Sequence, residues 1–278
     1  MKLQTQKSFD PKDILNDAAL FMLSDLKPAG TQLLLSPNKT DQIDLLKLTL
    51  FDLALKQVVV IKRKSKRMHP NDPYEREFIV IESGKNYTKY VPSRYECYIL
   101  DHIDNESYFY FKQLLQEIID AFPSEYVLKK HIVKDLALPE FFSINFFFRL
   151  TNLMRINRSG QSLRADLKGF LDSFDASLAD LIEHDPKEAV EVLTLLQGNI
   201  FFLKNLKFEL IEKLKVTKIN TVSSSRFDDW IWADFLLDSE LLYSDLLFEV
   251  NDIFEELDTS FDFDTLGDWD IDVDFDFH

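Results

Sequence analysis

The sequence predicts a mainly α protein with a small β-hairpin, a helical bundle and an acidic C-terminal arm, and three observations lead there. Glycine and proline are scarce, at six and nine in 278 residues, whereas an all-β or loop-rich chain needs many turn formers. Apolar residues recur at three- and four-residue intervals along most of the length, the period of an amphipathic helix. Twenty-five phenylalanines supply bulky side chains suited to helix-on-helix packing. The formal charge of −16 is concentrated at one end. From Arg226 onward one basic residue stands against eighteen acidic ones, while residues 1–225 carry 31 basic and 30 acidic groups. The chain is therefore a near-neutral body with an acidic arm. With 46% hydrophobic residues, the body can bury a core and is not disordered by composition.

The N-terminal elements come first. Asp10-Pro11 gives an N-cap and a first-turn proline, and Ile14, Ala18, Phe21 and Met22 continue at helical spacing, so residues 10–26 read as a helix. Gly30 and Pro37 punctuate the next segment. In the second helix, Ile43 to Gln57, Ile43, Leu46, Leu50 and Leu53 form one face, and Leu45, Leu48 and Leu55 widen it. So broad an apolar arc requires burial on more than one side. Val58-Val59-Val60-Ile61 is a β-branched run and Met68 to Pro73 a turn. Phe78-Ile79-Val80-Ile81 is a second such run, closed by Gly84, and together they make a hairpin.

A helix running straight into a two-stranded hairpin is the arrangement of a winged helix, and residues 10–90 resemble the winged-helix superfamily. On that resemblance residues 1–155 form a winged-helix-like region, with room for a second such unit. The run Leu45-Leu46-Lys47-Leu48-Thr49-Leu50-Phe51-Asp52-Leu53-Ala54-Leu55-Lys56 also resembles the corresponding helix of the Golgi phosphoprotein family, which implies phosphoinositide binding. No lipid-contact residue of that family can be placed on this sequence.

Three further helices are expected over Ser93 to His102, Ser107 to Phe122 and Ser124 to Leu136, each capped by a serine. The aromatic run Phe141 to Phe148 reads as a buried strand or core segment. Residues 156–215 read as a helical hairpin or bundle. Leu163, Leu167, Phe170, Leu171, Phe174, Leu178 and Leu181 repeat through its first helix, and Asp185-Pro186-Lys187-Glu188 starts its second. Gly198 ends that helix, and Asn199 caps another running to Lys215. Residues 216–226 are a serine-containing linker, and 227–257 an acidic amphipathic helix with Leu242, Leu246, Val250, Ile253 and Leu257 on one face. Residues 258–278 form an acidic-aromatic tail.

Two features carry chemistry. Lys62, Arg63, Lys64, Lys66 and Arg67 close the first hairpin strand and suit an anionic partner, either nucleic acid or anionic lipid. Glu75, Glu77 and Glu82 on the returning strand can neutralise them. The helix before them has two lysines, two aspartates and no arginine, which is poor equipment for reading bases. The second feature is the alternation from Asp268 to Asp276. In extended form it sets five carboxylates opposite Trp269, Ile271, Val273, Phe275 and Phe277, a pattern suited to docking on a protein partner. A calcium loop would need a glycine and a terminal glutamate that the pattern lacks.

No catalytic, cofactor or metal motif is present. Cys97, the single cysteine, forms no intrachain disulfide, and its spacing to His102 points the two apart on a helix. His69, His102, His131, His184 and His278 lack ligand spacing, and isolated glycines make no phosphate loop. The most apolar window, Ile43 to Ile61, is interrupted by Asp44, Lys47, Asp52 and Lys56, which excludes a transmembrane helix. An N-terminus without an apolar stretch implies a cytoplasmic protein. The expected function is a non-enzymatic adaptor that docks an unidentified protein partner through its tail. The alternative is a regulator that binds nucleic acid or an anionic membrane through the basic hairpin, with the tail autoinhibitory.

Overall fold

Asp17 is where the first α-helix starts, because its carboxylate accepts a hydrogen bond from the Ala19 amide at 2.8 Å. The computed structural model describes residues 11–67, 69, 73–122, 124–143, 154–206 and 246–260, and within these the chain is mainly helical with small antiparallel sheets. The helix expected over 10–26 is divided into a three-ten segment, Pro11–Asn16, and α1 (Ala18–Asp25). Gly30 does not punctuate. It lies inside α2 (Pro28–Leu35), where a Cβ would come within 2.5 Å of Leu136 Cδ1. Glycine serves there to let the chain around Leu136 approach.

α3 (Gln42–Leu55) opens with a reciprocal cap between Asp41 and Asp44. Its wide apolar arc is buried on two sides, as its width required. Leu45 and Leu55 enter one core, and Leu46, Leu50, Phe51, Leu53 and Ala54 enter another. Gln57, at φ 51°, turns the chain into β1 (Val59–Lys66), which pairs antiparallel with β2 (Arg76–Ser83). The strands are longer than the β-branched runs alone indicated, so Lys62, Arg63, Lys64 and Lys66 lie within β1 rather than after it. A third strand, β3 (Tyr108–Tyr110), joins β2 with Val80 opposite Tyr110. It replaces the first turn of the helix expected from Ser107. α5 (Phe111–Ala121) continues from it without a gap.

α4 (Arg94–Leu100) carries a Ser93–Glu96 capping box, and α6 (Glu125–Asp135) follows Ser124. Phe142–Ser143 (β4) pairs with Arg155–Ile156 (β5). Asn157 caps the long α7 (Arg158–His184) by accepting from the Gly160 amide. Asp185 then caps α8 (Pro186–Leu196) by accepting from the Glu188 amide. Asn199 does not cap a helix. It sits in a three-ten segment (Gln197–Phe202), and its amide donates to the carbonyls of Leu23 and Leu26, closing the end of α1.

Two apolar cores result. The first packs α1 and α2 on α6, α7 and α8. The second packs α3, β1, β2, α4 and α5 against α9 (Leu246–Ser260), which supplies Leu246, Val250, Phe254 and Leu257. Phe122 and Phe201 touch both. No helix among the described residues is long and apolar enough to cross a membrane. The linker 216–226, residues 227–245, and the tail residues Trp269, Ile271, Val273, Phe275 and Phe277 lie outside the described residues.

Candidate functional site

Because side chains alternate along a strand, β1 sends Lys62, Lys64 and Lys66 to one face and Arg63 to the other. Each cation of this cluster meets a partner from the same chain. Lys62 pairs with Glu82 of β2, and Arg67 with Glu75 at 3.3 Å. Lys64 Nζ stands 3.6 Å from the centre of the Tyr108 ring, a cation–π contact. Lys66 Nζ donates to Tyr110 Oη at 3.3 Å, and bonding to the hydroxyls of Tyr110 and Tyr108 holds its ammonium above the usual lysine range.

Arg63 reaches furthest along the chain. Its Nη2 donates to Glu249 Oε1 at 2.6 Å and its Nε to Oε2 at 3.3 Å, a two-point guanidinium–carboxylate pair. Glu249 belongs to α9, so the basic strand and the acidic arm are in direct contact. One more cation meets the same helix, and a second lies within its field. Lys112 of α5 pairs with Glu256. Lys47 of α3 is lowered in pKa by burial, against the opposing fields of Asp44 and of Glu255 on α9. Between these charges, Phe254 is 1% exposed and meets Phe51 and Phe111 edge-on, at ring separations of 6.3 and 5.9 Å. Three elements thus frame one acidic helix with an apolar floor and a cationic rim.

Glu82 and Glu75 are legible as neutralising partners from the hairpin alone. Sequence patterning does not single out Lys47, Lys112, Glu249, Glu255 or Glu256. The available signal is the position of Glu249 and Glu256 two helical turns apart beside Val250 and Phe254.

A second polar cluster, half-buried around a fully buried Glu96, lies between α2 and α4. Lys27 Nζ donates to Glu96 Oε1 (2.7 Å), Ser93 Oγ (3.0 Å) and Tyr90 Oη (3.2 Å), and Tyr90 Oη donates to Glu96 Oε1 at 2.9 Å. Burial, reinforced by Glu96, pushes the Tyr90 hydroxyl far above the usual tyrosine range. The members satisfy one another, and the cluster ties two helices together. Burial also raises the Cys97 thiol, and His102 Nδ1 meets the Tyr98 carbonyl at 3.1 Å. Among the described residues no three His, Cys, Asp or Glu side chains are grouped as a metal site requires. An open depression of about 540 Å³ beside Tyr110 is lined by Phe78 and Lys112 and also by Glu117 and Asp120, a mixture of signs unlike an anion cradle.

Compared with known proteins, the chain matches no family model, no curated protein and no solved structure.

Proposed function

We propose that the protein is a non-enzymatic interaction protein whose acidic-aromatic tail docks a protein partner. One observation carries this reading over anion binding. Lys62, Arg63, Lys64, Lys66 and Arg67 each have a partner within the chain, so the cluster serves internal contacts first. The anchoring of α9 on the second core adds support, because it fixes the helix that precedes the tail in sequence. In the tail Trp269, Ile271, Val273, Phe275 and Phe277 supply apolar contacts and the intervening aspartates complement a basic partner surface. The test is affinity capture by the full-length chain against a Trp269→Ala/Phe275→Ala variant. A partner retained by the first and lost by the second supports the reading. Equal retention by both leaves the tail only a solubilising role.

The Arg63–Glu249 contact favours a second reading, in which the basic hairpin binds nucleic acid or an anionic membrane and the arm restrains it. A full-length Glu249→Arg variant then binds duplex DNA or phosphatidylserine vesicles more tightly than wild type at low salt, and the gain fades as salt rises. Equal inertness of both proteins removes it.

A further inference from the structure

Among the described residues, the groove that holds α9 is built mainly by elements far from it in sequence. Its floor and rim come from α3, β1 and α5, all between residues 42 and 121, whereas α9 begins at Leu246. The helix is therefore held there by chemistry rather than by adjacency in the chain. That chemistry is one-sided. α9 contains Glu249, Asp252, Glu255, Glu256 and Asp258 and no lysine or arginine, while the rim presents Arg63 and Lys112 from two separate elements. Leu246, Val250, Phe254 and Leu257, spaced four, four and three, fill the apolar floor. This is how an amphipathic helix is recognised in a groove. A helix of this length is marginal alone in water, so most of the stability of α9 comes from its packing in the groove. Phe201 packs on Phe51 at 4.9 Å, and Phe254 packs on the same ring.

We propose that this groove is a docking site for an acidic amphipathic helix presented by a partner protein, with α9 as its occupant in cis. The partner helix carries four apolar residues at the same spacing, flanked by carboxylates placed to meet Arg63 and Lys112. This surface is distinct from the tail, and the proposal stands independently of the tail's role.

The experiment uses the full-length chain and, as probe, a fluorescent synthetic peptide of residues 246–260. A Val250→Asp/Phe254→Asp variant has its own helix disabled and its groove untouched. It is expected to bind the peptide at least about tenfold more tightly than wild type does. Adding Arg63→Glu and Lys112→Glu should abolish that binding, and a peptide with Glu249→Lys and Glu256→Lys should restore it. A variant that keeps a cooperative unfolding transition yet does not bind overturns the proposal, as does binding indifferent to charge reversal. Native-state hydrogen exchange on the wild type covers the case in which the variant does not fold. α9 amides opening while α3 and α5 stay protected supports the proposal, and a single global opening overturns it. Concentration-dependent dimers of the wild type would overturn it too, by assigning the groove to a second copy instead.

Discussion

Lys27 and Glu96 meet at 2.7 Å with the carboxylate fully buried, joining the N-terminus of α2 to the first turn of α4. Glu96 also accepts from the Ser93 amide and the Tyr90 hydroxyl, so its charge is balanced by three donors. Removing the cation leaves a buried charge uncompensated, which costs about 3–5 kcal/mol. Lys27→Met should lower the unfolding free energy in urea by roughly that amount. The Lys27→Met/Glu96→Gln double variant should lose less than the two single variants together, because the orphaned charge is gone. A Lys27→Met protein within about 0.5 kcal/mol of wild type would show that the pair is not buried in solution.

Two glycines give opposite expectations. A Cβ on Gly84 would lie 2.1 Å from the Gln57 carbonyl oxygen, where the Gly84 amide donates to Val58 and fixes the base of the hairpin. That obstacle is backbone and cannot swing aside, so Gly84→Ala should destabilise by more than about 2 kcal/mol. Gly169 is exposed in the middle of α7 with nothing near its missing Cβ. There alanine has the better helix propensity, and Gly169→Ala should stabilise by about 0.5–1 kcal/mol. Thermal melts of the two variants, read side by side, test both statements.

On α9, Phe254 and Phe248 differ in burial rather than in chemistry, at 1% and 69% exposure. Phe254→Ala should cost about 3–5 kcal/mol if the helix stays docked and leaves a cavity against Phe51 and Phe111. Phe248→Ala should stay within about 0.5 kcal/mol of wild type. Denaturant titration of both variants decides whether the described face of α9 is the one that packs.

The parts of the fold that can be read in the sequence are those whose causes are local. α3 and the hairpin come from an apolar arc and two β-branched runs, and α8 from Asp185-Pro186, because each signal lies within a few residues of the structure it specifies. The misread parts have distant causes. Gly30 resembles a turn residue until Leu136, over a hundred positions on, arrives against it. Tyr108-Phe109-Tyr110 fits the helical spacing of α5, and it becomes a strand because β2 offers an edge opposite Val80. Asn199 has the composition of a cap, yet the carbonyls of Leu23 and Leu26 take its amide. The site shows the same division. Glu82 is visible from hairpin pairing, whereas Arg63 and Glu249 are 186 residues apart and share no local pattern.

His131 supplies a pH dependence with a definite sign. Its Nδ1 lies 3.0 Å from Tyr98 Oη, with the two rings stacked at 6.0 Å. Burial lowers its pKa below the usual 6.5, Arg94, Lys130 and Lys134 add to the fall, and Asp135 opposes it. The folded state thus favours neutral imidazole, in hydrogen-bond contact with the Tyr98 hydroxyl. As pH drops through 6.5 the unfolded chain takes up the proton first, so stability declines, and the loss is complete once pH passes the lower folded value. Above 6.5 the contribution is fully present. Urea midpoints measured from about pH 7.5 to about pH 5.5 should therefore fall for wild type more than for His131→Gln, which has no titrating ring. Parallel curves for the two proteins would mean that the Tyr98–His131 contact does not discriminate between protonation states.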